Sequence, residues 1–62
     1  MPEPDVWGTT RKLIELYGVG AQQTALYRAE LLMSQGDSRG ALRWQEILTA
    51  VRRLQDRTAA PN

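Results

Sequence analysis

The chain predicts an all-α fold, a small domain of three helices, and three observations carry that expectation. Apolar residues recur at spacings of three and four, which reads as helix rather than strand. Two glycine-bearing stretches, residues 17–21 (YGVGA) and 34–40 (SQGDSRG), punctuate the periodic segments. No proline lies between Pro4 and Pro61, so nothing interrupts a helix by removing a backbone donor. Helices are therefore expected at about 5–17, 20–35 and 38–57 in a single domain spanning 1–62, with 1–4 and 58–62 flexible.

The first helix has Asp5, or a nearby threonine, to accept bonds from its free N–H groups, and Gly18 to close its last turn. Trp7, Thr10, Leu13, Ile14 and Tyr17 share one face, with Val6 beside them. Gly8, Thr9 and Thr10 are poor helix formers, so a start as late as Thr9 is compatible with the sequence. The second helix places Ala21, Ala25, Leu26, Ala29, Leu32 and Met33 along one broad side, while Tyr27 and Leu31 emerge on the other. A helix apolar on two sides normally has neighbours on both, so this one is expected to be central. The third helix carries the clearest stripe: Ala41, Trp44, Ile47, Leu48, Val51, Leu54 and Gln55. Its arginines lie on the flanks and back, and Leu42 falls opposite the stripe.

The nine residues GDSRGALRW at 36–44 read as a rigid corner. Gly36 suits positive φ at the end of the second helix, and Asp37 suits the N-cap of the third. Helical side chains lean toward the N-terminus, so Trp44 is expected to reach back over Gly40, where a side chain would obstruct the indole. Gly36, Asp37, Gly40 and Trp44 are thus assigned to structure.

Composition narrows the function classes. Hydrophobic residues make up 42% and charged residues 24%, usage that folds rather than staying disordered. The formal charge is +1, with three basic against four acidic residues up to Gly36 and five against three beyond it. A nucleic-acid binder of this size is usually far more basic. Cysteine and histidine are absent, which removes disulfides, thiol and imidazole chemistry and Cys/His zinc sites. No cofactor is expected. The opening MPEPDVWG lacks the apolar run of a signal peptide, and no segment approaches a membrane span, so a cytoplasmic protein without membrane partners is expected.

The run from Gly36 to Leu54 resembles a group of very short bacterial proteins, common in alphaproteobacteria, that share an early tryptophan, a glycine after the first helix, and a G-D, small residue, W-x-x-I pattern. Trp7, Gly18, Gly36, Asp37, Gly40, Trp44 and Ile47 stand at comparable places. The group has no assigned activity, so the resemblance implies an all-helical domain and brings no functional residues with it.

Catalysis is not expected, because Glu15, Glu30 and Glu46 sit on outer faces of a chain too short to enclose a pocket. An interaction or structural module fits better, with Trp7, Tyr27, Leu31 and Leu42 as its candidate surface and a protein partner or a second copy as its occupant. The alternative is a nucleic-acid-associated regulator with the second and third helices arranged like a helix-turn-helix, Arg39 and Arg43 making the contacts. Leu32 four residues before the turn glycine and Gln45 nine after it depart from that motif, so nucleic acid is the less favoured partner.

Overall fold

Asp5 opens the first helix by accepting a hydrogen bond from the Gly8 N–H at 2.9 Å, on the Oδ2 of its carboxylate. In the computed structural model, which describes residues 5–59, the chain from that point is helical without a break to Ser34. By continuity the described residues form two helical stretches, 6–34 and 38–59, rather than three separated helices, and contain no strand. A 3₁₀ turn, Gly18–Gly20, bends the first stretch and divides it into α1 (Val6–Tyr17) and α2 (Ala21–Ser34). The second stretch is α3 (Ser38–Ala59). The break expected after Tyr17 is this turn: Gly18, at φ 53°, reorients the backbone, and its carbonyl still accepts from Ala21 N–H. The expected loose ends 1–4 and 60–62 lie outside the described residues, whereas Thr58 and Ala59 continue α3.

The expectation that α2 is central is corrected by the packing. The main contacts run between α2 and α3 and between α1 and α3, and α1 touches α2 least. Burial shows why. On α2 only Ala21, Ala25 and Ala29 are buried, a single row at four-residue spacing. On α3, Ala41, Ile47, Leu48, Ala50 and Val51 are all buried, an arc of roughly half the circumference at 3.6 residues per turn. Ala50, which lies off the expected stripe, is covered because α1 crosses that side. The two apolar sides of α2 therefore do not mean two neighbours; Tyr27 and Leu31 are left in solvent.

The core joins Leu13 of α1, Ala21 and Ala25 of α2, and Ile47, Leu48 and Val51 of α3, with Val6, Ile14 and Trp44 packed at its edge. Alanines let helix axes approach closely, since interaxial distance follows the side chains at the contact. The same closeness shields only a narrow strip, so Leu26 and Met33, expected on the buried side, stay exposed. Trp7 and Tyr17 are likewise half-exposed at the edge of the α1 face. Thr10 is the buried polar side chain on that face, and its hydroxyl donates to the Val6 carbonyl at 2.6 Å. Gln55 ties the far end together: its Nε2 donates to the Gly18 carbonyl at 2.8 Å, and its Oε1 accepts from Gln22 Nε2 at 2.9 Å.

Asp37 governs the α2–α3 corner twice over. Its N–H donates to the Leu32 carbonyl at 2.9 Å while Gly36 N–H donates to Met33 at 3.0 Å, the bonding of a Schellman ending, with Gly36 at φ 82°. Its carboxylate then accepts from Gly40 N–H at 2.9 Å and caps α3. The expected role of Gly40 is corrected here. A Cβ at Gly40 would stand 2.5 Å from the Asp37 Oδ2, and its nearest neighbours include no atom of Trp44. The missing side chain thus makes room for the capping carboxylate. Trp44 instead faces α2, with the Arg28 guanidinium 5.6 Å from its ring centroid. Asp5 and Gly8 repeat the arrangement at the start of α1, where an added Cβ would lie 3.0 Å from the Asp5 Oδ2.

A double-mutant cycle checks this geometry. Asp37→Ala is expected to cost about 1 kcal/mol through the lost cap. Gly40→Ala should then stabilise that variant by up to about 1 kcal/mol through helix propensity, yet give no gain or a loss in the wild type. Equal effects of Gly40→Ala in both backgrounds, measured by urea unfolding, would show that Gly40 and the Asp37 carboxylate are uncoupled.

Candidate interaction surface

The apolar residues left outside follow from α3 burying one half of its circumference. Leu42 is about 180° around the helix from Val51, nine residues away at 100° each, so it cannot join the core. It is 58% exposed. Trp7, on the second residue of α1, overhangs the edge of the helix pair and is 50% exposed.

Two open grooves follow this outer side of α3. One, of about 360 Å³, lies between α1 and α3 and is lined by Val6, Trp7, Glu46, Thr49, Ala50 and Arg53. The other, of about 500 Å³, is lined by Arg39, Leu42, Arg43 and Glu46. Glu46 belongs to both, so the grooves adjoin. Its Oε1 lies 3.7 Å from Arg43 Nη1, an exposed pair worth about 0–1 kcal/mol that offsets the charge of both partners locally.

The four candidate residues therefore separate into two surfaces. Trp7 and Leu42 flank the adjoining grooves. Tyr27, 63% exposed, and Leu31, 38% exposed, sit on the side of α2 turned away from its alanine row and line neither groove. Glu46 and Arg53 were not singled out in the sequence as surface neighbours of Leu42. Their signal is its own helical continuation, at four and eleven residues onward. Val19, 97% exposed between two glycines of the 3₁₀ turn, was also missed; so short a turn has nothing to cover a side chain.

The structural group behaves differently from the surface group. Gly36, Asp37 and Gly40 are occupied in ending α2 and starting α3, while Trp44 edges the core under Arg28. Arg39 and Arg43 do stand together at the start of α3, but the helix-turn-helix arrangement is not what holds them. The Gln22–Gln55 bond joins the ends of α2 and α3 farthest from Gly36, so the two run side by side as an antiparallel hairpin. A helix-turn-helix crosses at about 90–120°. Among the described residues no three His, Cys, Asp or Glu side chains gather to hold a metal ion, and no helix is long and apolar enough to cross a membrane.

No protein-family model, curated protein or solved structure matches the chain at a significant level. Gly18, Gly36, Asp37, Gly40 and Ile47 are accounted for as turn, cap and core.

Unfolding measurements separate surface from core. Leu42→Ser and Tyr27→Ser are each expected to stay within about 0.5 kcal/mol of wild type. Ile47→Ala, which empties a fully buried site, is expected to lose about 2–5 kcal/mol. A loss at Leu42→Ser as large as that of Ile47→Ala would place Leu42 in the core and remove it from the surface.

Proposed function

We propose that the chain is a small cytoplasmic interaction module, a three-helix bundle that offers apolar surface to a protein partner and performs no catalysis. The observation that carries this reading is that the half-exposed Trp7 and the exposed Leu42 each line one of two grooves that share Glu46. Large apolar groups gathered on an open surface mark association sites, and tryptophan is among the side chains that dominate binding energy. The small, alanine-rich core adds a thermodynamic reason, since a ligand of the folded state alone raises its stability by mass action. The Tyr27–Leu31 face supplies a second surface, suited to self-association.

The alternative, contact with nucleic acid through Arg39 and Arg43, draws support from their sharing one groove at the start of α3. It is separable by a salt series, because phosphate contacts give a steep dependence of binding on ionic strength.

A photo-reactive amino acid in place of Trp7 or Leu42, expressed in the native cell, is expected to give discrete protein adducts, with an adduct at twice the chain mass reporting self-association. Lys12, exposed on α1, is the control position. Adducts at 7 and 42 no stronger than at 12 would overturn the reading, and nucleic acid captured in their place would favour the alternative.

A further inference from the structure

We infer that the chain pairs with a second copy by exchanging α1: Gly18 swings out of its turn, residues 6–34 become one straight helix, and α1 of each copy docks on α3 of the other. This takes up the self-association within the interaction-module reading and supplies its route. The bend rests on one residue. Within 6–34 only Gly18 has positive φ, at φ 53° and ψ −121°, whereas Tyr17, Gly20 and Ala21 around it keep right-handed helical backbone. Glycine adopts that conformation at no steric cost, and other residues rarely do. Rotation at a single position therefore separates the hairpin from the rod. The connection Gly18–Gly20 is three residues long, and short strained hinges invite exchange of the element they carry.

The seat for an exchanged α1 already exists. α1 packs more against α3 than against α2, with Leu13 in the core beside Ile47, Leu48 and Val51. An identical α3 in a second copy offers the same contacts. Gln55 binds both the Gly18 carbonyl and Gln22, and it lines a groove with Ile14 and Glu15. The end of α1, the hinge and the start of α2 thus all lie at one end of α3, so an α1 arriving from another copy brings the two hinges together. Leu16, Tyr17 and Val19, exposed in the hairpin, are then at the meeting point. Straightening also continues an established interface. Leu13 and Leu31 are eighteen residues apart, about five full turns, so they fall on one line of the straight helix, with Tyr27 one turn before Leu31. The face that α1 buries and the α2 face left in solvent become one. The groove at Trp7 would then be built from two chains, Val6 and Trp7 from one, Glu46, Thr49, Ala50 and Arg53 from the other.

The hinge residue supplies the test. A Cβ at Gly18 would meet nothing within 4 Å, so Gly18→Ala alters backbone preference and crowds no neighbour. Alanine favours helix over glycine by about a factor of five per chain, so the association constant is expected to rise about thirtyfold in sedimentation equilibrium. Gly18→D-Ala, introduced by chemical synthesis, favours positive φ and is expected to lower association below wild type. Exchange itself is read by energy transfer. The chain has no cysteine, so Lys12→Cys and Asp56→Cys, at exposed positions of α1 and α3, each take a single label. In the Gly18→Ala dimer, transfer from position 12 of one copy to position 56 of the other is expected to equal that within one doubly labelled wild-type monomer. A Gly18→Ala chain that stays monomeric when concentrated, or unfolds without pairing, would overturn the inference. So would a dimer that Gly18→D-Ala favours equally, or one whose transfer between copies is weaker than within a chain. Loss of such a dimer on Tyr27→Ser would assign it to unexchanged pairing through α2. Crosslinks from positions 7 and 42 to other proteins would survive each of these results, so failure of the exchange and failure of the interaction reading are told apart.

Discussion

One half of α3 is the surface on which the rest of the fold leans. Ile47 and Val51 are completely enclosed because α2 closes on one side of them and α1 on the other. Neither α1 nor α2 has a comparable partner elsewhere, since each packs more against α3 than against the other. A chain of this length buries a smaller fraction of its surface than a larger domain, and its stability is correspondingly slender. Concentrating the large core side chains on one helix is how these residues reach a packed interior without a disulfide.

The connections are built to hold that arrangement with very few residues. Asp37 satisfies a carbonyl at the end of α2 with its N–H and an amide at the start of α3 with its carboxylate, so three residues, 35–37, separate two helices. Asp5 with Gly8 repeats the cap of Asp37 with Gly40, glycine in each case leaving space for the aspartate. At the other end Gln55, a polar residue in an otherwise apolar stripe, fastens both the 3₁₀ turn and the first turn of α2 to α3. The hydrogen bonds of Gln55 thus sit at one end of the helices, while the middle is held by packing, with the Arg28 guanidinium over the Trp44 ring.

Much of this was legible in the residues because local chemistry fixes it. The positive-φ glycines at 18 and 36, the caps at Asp5 and Asp37, and the stripe from Ala41 to Gln55 each depend on neighbours within one or two turns. What was not legible depends on distance in the chain. Whether α2 or α3 lies in the middle is decided by how alanine rows and larger side chains share space, and periodicity gave Tyr27 and Leu31 the look of a second buried side. Ala50 showed the same limit from the opposite direction. The room left at Gly40 was visible in sequence as a gap, but the group that fills it, the Asp37 carboxylate rather than the Trp44 indole, was not. For the surface, Trp7, Leu42, Tyr27 and Leu31 were recognisable as apolar residues without a place, while their division into two separate faces required the fold.

Burying one half of α3 also determines what its other half can offer. Because the inner arc takes the large aliphatic residues, the outer side keeps Leu42 among arginines, with Trp7 overhanging from α1. Native-state hydrogen exchange tests the underlying claim most directly, since local openings are read amide by amide. The amides of Ile47 to Val51 are expected to be the slowest in the chain and to exchange only through global unfolding. Slowest exchange within α2 instead, with the Ile47–Val51 segment opening at lower free energy, would contradict the claim that α3 supports the fold.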